Sequence, residues 1–356
     1  MYAPRTTSDH NTVIADFRSD TVTRPTQAMM DAMMSAPLGD DVYGDDPTTN
    51  ALEEKAASLL GKDAAVFMTS GTQSNLAGVM SHCGRGDEYI IGKTFHIYVY
   101  EAGGTSVLGS AFPHPLEVSP RGALSPEDVV RAIKVDDAHF PVTKLVSVEN
   151  SVNGCVHDED YMDSIAAAAH DHGLKAHCDG ARLFNAATAI GVAPKRLVQE
   201  YDTVSICLSK GLGTPAGSVL VGSHEAAAKA RRVRKMLGGG MRQSGILAAA
   251  GIHALDHHVD RLANDHDRAG QLADALMDID GITLNRDQVE TNMIFLNFDE
   301  RISDEALGQL NPFMAERGIR MSGGRTTRIV VHLDIDDDGC DALMSGLDAF
   351  IKAHAA

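Results

Sequence analysis

The chain has 356 residues, 44% of them hydrophobic, which is enough to bury a substantial core and excludes an intrinsically disordered protein. A formal charge of −18 at pH 7 and a sequence pI near 5.2 make nucleic acid and anionic membranes poor partners for the surface as a whole, while leaving room for a local basic pocket. The five cysteines, Cys83, Cys155, Cys178, Cys207 and Cys340, show neither paired nor zinc-finger spacing, and no stretch approaches the ~20 apolar residues of a membrane span. Met1 to Asp16 has no apolar core of signal-peptide length, so the expectation is a cytoplasmic protein with reduced thiols.

Helical and strand-like patterns alternate from about residue 25 to 260, the mark of a mostly parallel sheet covered by helices. The first clear helix is predicted from Asn50 to Gly61, with Asn50 as N-cap, Glu53 at the capping-box position and Gly61 as the stop. Ala64 to Met68 reads as a buried strand, Ser70-Gly71-Thr72 as a turn, and Gln73 to His82 as a helix. Tyr161 to His172 forms an alanine-rich helix ended by Gly173, and short strands follow, one reaching Asp179 and one running from Thr203 to Leu208. Beyond residue 260 the pattern predicts helix (Asp265 to Met277), strand (Asn292 to Phe298), helix (Asp304 to Arg317), strand (Arg328 to Leu333) and a last helix, a small α/β unit.

The chemistry sits at predicted strand ends, where open parallel sheets bind ligands. Lys210 follows an apolar strand and enters a glycine-rich turn, Ser209-Lys-Gly-Leu-Gly213, where small neighbours leave room for a flat ring and partial desolvation favours a neutral, nucleophilic amine. Such a lysine, taken alone, is also an ordinary surface residue. Asp179, 31 positions earlier in His177-Cys-Asp-Gly-Ala-Arg182, is one βαβ step away, which sets the two groups on neighbouring strand tips. There a carboxylate can pair with a pyridinium nitrogen while the lysine bonds an aldehyde carbon. Ser70-Gly71-Thr72 ahead of a helix offers amides, a hydroxyl and the helix dipole to a phosphate, or is simply an N-cap. Gly238-Gly-Gly-Met-Arg242 adds a guanidinium on a flexible stretch that could complete the phosphate site from another subunit.

Eight stretches in order, Asp16 to Pro25, Gly39 to Pro47, Ser70 to Thr72, His96 to Gly104, His177 to Ala186, Ser205 to Gly213, Lys235 to Gln243 and His332 to Asp334, resemble the successive motifs of the low-specificity L-threonine aldolases. The resemblance implies an α/β, fold-type-I pyridoxal-phosphate (PLP) transferase-like fold, with a mostly parallel central sheet flanked by helices and a small C-terminal α/β domain. It implies an N-terminal segment, 1–25, that contributes to the active site, a large cofactor-binding domain, 26–260, and a small domain, 261–356. The activity implied is reversible cleavage of L-threonine, L-allo-threonine and related β-hydroxy-α-amino acids to glycine and an aldehyde, in active sites built at a dimer interface within a tetramer. By motif, Lys210 carries PLP as a Schiff base, Asp179 pairs with the ring nitrogen, His96 stacks on the ring, and Gly71, Thr72, Ser209 and Arg242 belong to the cofactor site. Ser19, Arg182 and Arg328 hold the substrate carboxylate, with Arg182 also lying against the cofactor. His139 approaches the substrate's β-hydroxyl, and His96 and His139 are the two candidate bases.

Two places depart from a simple carry-over. Family members commonly read Glu-Asn-Thr-His-Asn-Gly where this chain has Glu149-Asn-Ser-Val-Asn-Gly154, so Val152 replaces an imidazole, and Arg325 rivals Arg328 for the carboxylate. Other PLP chemistries (β-elimination, transamination, glycine–serine interconversion) share the same apparatus, and a PLP-fold protein without catalysis is a further alternative. A zinc enzyme built on His253 and His257, at i and i+4, is disfavoured by the absence of an HExxH pattern, and no metal is expected.

Overall fold

The computed structural model describes residues 13–355, which divide into two compact units: 13–22 with 264–355, and Thr23–Ala263.

The larger unit is built on seven strands: β1 (Ala64–Met68), β2 (Glu88–Gly92), β3 (Phe112–Leu116), β4 (Thr143–Glu149), β5 (Lys175–Gly180), β6 (Thr203–Cys207) and β7 (Ser218–Gly222). Their spatial order is β1-β7-β6-β5-β4-β2-β3; β7 runs antiparallel to both neighbours and every other pairing is parallel. Strands such as β2, β6 and β7 are buried at every position, as a sheet covered on both faces requires. The core around them includes Phe67, Tyr89, Ile90, Ile91, Val146 and Ile206.

The helices that position the site are α1 (Gln27–Met34), α2 (Pro47–Leu60), α3 (Gly71–His82), α4 (His96–Val99), α5 (Glu159–His170), α6 (Leu183–Ile190), α7 (His224–Met236) and α8 (Gly245–His257). Helix α2 starts earlier than predicted. Asp46, not Asn50, is its N-cap and accepts the Thr49 N–H at 2.8 Å, with Pro47 at the first helical position, where a missing N–H costs nothing. Glu53 is no capping-box partner either: it turns inward, accepts the Phe67 N–H at 2.8 Å and pairs with Arg231. Gly61 ends the helix at φ 64°, as expected. On α3, Gly78 admits the ring of His177, whose Cε1 would lie 2.5 Å from any added Cβ.

The smaller unit has an antiparallel sheet of β8 (Ile282–Leu284), β9 (Met293–Phe298) and β10 (Thr326–Val330), a parallel pairing of Ala15–Asp16 with Ile319–Arg320, and a final helix, α9 (Asp337–His354). Phe17, Leu296, Leu310, Leu343 and Phe350 lie in its core. The helix predicted over Asp304 to Arg317 is two short ones, Asp304–Leu307 and Leu310–Ala315. Pro312 has no N–H for the carbonyl of Gly308, and its ring would clash there in a continuous helix. Arg328 lies within β10, which begins two residues earlier than the predicted strand and ends at Val330. Among the described residues no helix is long and apolar enough to cross a membrane.

Candidate active site

Three parallel strands bring their C-terminal ends together in register: Glu149 on β4 is opposite Asp179 on β5, and Asp179 is opposite Ser205 on β6. Asp179 is 4% exposed, and its carboxylate accepts the Ala181 N–H at 3.0 Å and the Asn75 amide at 2.8 Å. Past β6, Lys210 stands in a closed loop: its carbonyl accepts the Gly213 N–H at 2.8 Å, Gly213 adopts φ 77°, and the Thr214 N–H donates to the Leu208 carbonyl at 3.3 Å. This turn holds Lys210 half-buried one strand away from Asp179.

Helix α3 faces the same ends. Ser70 caps it by accepting the Gln73 N–H at 3.2 Å, and Ser205 donates to Ser74 at 2.7 Å, which ties α3 to β6. Gly71 and Thr72 occupy its first turn, where helical geometry supplies no acceptor for their amides. Ser209 lies 3.5 Å from Cys207 Sγ.

His96 opens α4. Its backbone N–H donates to Glu149, and its ring Nδ1 lies 2.8 Å from Glu101 Oε1. The His96 side chain is 46% exposed. Asn75 joins these groups, since its amide nitrogen donates to Glu101 at 2.9 Å as well as to Asp179. Burial pushes Glu101 upward, helped by Asp179 and opposed by the bonds from His96 and Asn75. Glu149 is pushed up to about 8 by burial first and by Asp179 second, while the His96 N–H, Lys210 and Arg182 pull the other way. Sequence reasoning gave no role to Asn75, Glu101 or Glu149; the only signal was their presence inside or next to the motif stretches.

The remaining predicted residues are more dispersed. Arg182 follows β5 as the residue before α6. Arg242 is 54% exposed and bonds Asp40 at 2.9 Å. His139 sits on an outer loop, 87% exposed, with its Nδ1 2.6 Å from Asp137. Ser19 and Arg328 belong to the smaller unit, where Arg328 donates to the Arg18 carbonyl at 3.0 Å. Arg325 is fully engaged elsewhere: it bonds Asp304 and the carbonyls of Phe298, Asp299 and Ile302. Val152 is 5% exposed in the main apolar core, where it packs against Gly122.

One group of three metal-capable side chains occurs among the described residues: His96, Glu101 and Asp179, with one ligand atom from each within 4.8 Å of the others. His253 and His257 lie with ring centroids 4.6 Å apart and planes tilted by 54° on α8, and join no such group among the described residues.

The beta-eliminating lyase family model matches residues 16–299. The chain is 47% identical to the low specificity L-threonine aldolase of Escherichia coli K12 over 94% of its own length and 99% of that protein. The chain belongs to the low-specificity L-threonine aldolase family. It is also 44% identical to low-specificity L-threonine aldolase 1 of Arabidopsis thaliana, covering 90% of this chain and 91% of that one. The structure of Leishmania major threonine aldolase superposes with a TM-score of 0.78 at 21% identity, over 95% of this chain and 99% of that one, a likeness of fold. As a member of the aldolase family, the protein is a PLP-dependent lyase with the fold-type-I architecture.

The residues present fit that cofactor. Asp179, with Glu101 beside it, sets a carboxylate at the strand ends that a cationic ring nitrogen would offset. The first turn of α3 offers amides to a phosphate, and the buried Ser218 Oγ, which has no partner among the described residues, lies 3.6 Å from the Cβ position of Gly71.

Proposed function

We propose that this protein cleaves the Cα–Cβ bond of L-threonine, L-allo-threonine and related β-hydroxy-α-amino acids, releasing glycine and an aldehyde. The observation that carries the reading is the buried Asp179 at the end of β5, one strand from the loop that presents Lys210. When bound, PLP supplies an electron sink for the bond being broken. Lys210 is the lysine that would hold it, Asp179 would face its ring nitrogen, and Gly71, Thr72 and Ser209 would line its phosphate end. Asp179 suits that place because its two carboxylate oxygens are already fixed by Ala181 and Asn75.

The scissile bond must stand perpendicular to the conjugated ring, so the substrate carboxylate has to be clamped. Arg182, Arg328 and Ser19 are assigned to that clamp. The engagement of Arg325 with Asp304 and three carbonyls supports Arg328 over Arg325. His96 would take the β-hydroxyl proton on Nε2, because Nδ1 faces Glu101, and the exposure of its side chain supports access from the substrate side. His139 is the second candidate, reading the β-carbon. Arg242, exposed on a glycine-rich stretch, would complete the phosphate site of a partner subunit in a dimer-built tetramer. Exposed Met34, Tyr43, Tyr100, Val107 and Leu108 support such assembly. We place the enzyme in the cytoplasm, on cysteine usage and acidic charge.

Product analysis tests the reading. Incubation with L-threonine or L-allo-threonine should release acetaldehyde and glycine in equal amounts. Ammonia with an oxoacid would indicate elimination instead, and amino transfer to an added oxoacid would indicate transamination.

A further inference from the structure

A single hydrogen-bond chain runs through the buried side of the site and fixes the orientation of each member. His82 Nε2 lies 3.0 Å from Thr203 Oγ1, which lies 2.9 Å from His177 Nδ1; His177 Nε2 lies 3.4 Å from Asn75 Oδ1. Burial lowers both histidines to about 4, so each ring carries one N–H at neutral pH. The consistent assignment has His82 donating to Thr203, Thr203 to His177 Nδ1, and His177 Nε2–H to Asn75 Oδ1. The Asn75 amide nitrogen is thereby turned toward two carboxylates, with one hydrogen for Glu101 Oε1 at 2.9 Å and one for Asp179 Oδ2 at 2.8 Å. The opposite amide orientation would set an oxygen against both carboxylates. Asn75 is 2% exposed, so no water supplies the missing donors. Glu101 Oε1 takes a second bond from His96 Nδ1, and a donating Nδ1–H leaves the lone pair of the ring on Nε2.

We propose that Asn75 and Glu101 are positioning residues: Asn75 spaces and orients the Asp179 and Glu101 carboxylates, and Glu101 sets the tautomer of His96 so that Nε2 is the proton-accepting nitrogen. The inference rests on the roles assigned above to His96 and Asp179, and it adds a physical link between them. The carboxylate that holds the base and the carboxylate that faces the cofactor are joined by one amide. The arrangement parallels a carboxylate that orients a catalytic histidine, where loss of the orienting group costs turnover more than binding.

The test compares PLP-loaded wild type with Glu101→Gln, Glu101→Ala, Asn75→Asp and Asn75→Ala. It measures PLP dissociation constants by dialysis, kcat and KM for L-allo-threonine, pH–rate profiles and bound divalent metal. Glu101→Ala should lower kcat by ~10²-fold with KM within about threefold, and Glu101→Gln, which keeps an acceptor for His96, should recover most of that loss. Replacing the Glu101 carboxyl by an amide in Glu101→Gln should also shift the acid limb of kcat/KM, a change that packing alone would not produce. Asn75→Asp, equal in size, replaces a donor by a third carboxylate and should weaken PLP binding about tenfold or more.

If Asn75→Ala fails to fold, the two size-matched variants decide. Folded Glu101→Gln and Asn75→Asp proteins with wild-type pH profiles and PLP affinities would overturn the proposal. So would a stoichiometric divalent ion in wild type that Glu101→Gln loses, since the three groups would then be ligands. A wild type that binds PLP and releases no aldehyde would instead bring down the functional reading, and this inference with it.

Discussion

Glu149 and Asp179 stand abreast as register partners on the parallel strands β4 and β5, two carboxylates at the same level of one sheet. They do not share the charge equally. Asp179 is held by two donors, whereas burial and Asp179 together push Glu149 up to about 8. Glu149 therefore keeps a proton at pH 7 and serves as a neutral acceptor for the backbone N–H of His96. Glu149→Gln should retain kcat within about threefold at pH 7, while Glu149→Ala, which frees the start of α4 to shift, should lose roughly tenfold or more. Steady-state kinetics of the two variants at that pH check the claim, and equal losses would contradict it.

His177 makes the fold acid-sensitive. It is fully buried against Thr203, Asn75 and the backbone of Gly78, and burial lowers it from 6.5 to about 4. Between those values the unfolded chain binds the proton that the folded chain refuses. The stability is therefore fully present above pH 6.5 and is lost as pH falls through about 4, on the order of 3 kcal/mol over the window. Thermal midpoints of wild type should drop between pH 7 and pH 4.5, and His177→Gln should show a smaller drop. A variant as acid-sensitive as wild type would remove His177 from the explanation.

Asp46 is a buried structural acid. Fully buried, it accepts three backbone N–H groups, from Thr49 at 2.8 Å, Gly245 at 3.1 Å and Gly39 at 3.2 Å, and caps α2. Asp46→Ala would strand those amides and remove the cap, costing about 3 kcal/mol. Urea unfolding of the variant should show that loss. A midpoint unchanged from wild type would contradict the assignment.

The two arginines of the smaller unit should separate cleanly. Arg325 is engaged by one carboxylate and three carbonyls, so Arg325→Ala should lower the thermal midpoint and leave KM within about threefold, because the lost bonds are internal. Arg328→Ala should raise KM for L-allo-threonine by ~10²-fold with little change in stability, as loss of a charge-assisted carboxylate contact would. The reverse pattern would reassign the clamp.

The legibility of the fold in the sequence follows from how local each signal is. Ala64–Met68 matches its predicted strand because an apolar run bounded by turn residues needs no distant information, and Gly61 stops α2 for reasons within its own turn. The start of α2 was misplaced because Asn50 and Glu53 imitate a capping box, while the operative signal was Asp46 followed by Pro47. The positions of Asp179 and Lys210 at the ends of neighbouring strands are readable from their spacing. The place of Asn75 is not, because its partners lie 26 and 104 positions away and a buried asparagine on a helix carries no local mark of what it faces.

The most direct test of the central claim is the absorbance spectrum of purified wild type and Lys210→Ala, before and after L-allo-threonine, with acetaldehyde followed by a coupled dehydrogenase. Wild type should show a ~420 nm band and release acetaldehyde, and Lys210→Ala should lose the band with nearly all turnover, as removal of a covalent anchor for the cofactor would. A Lys210→Ala protein that kept the wild-type band and its turnover would contradict that claim.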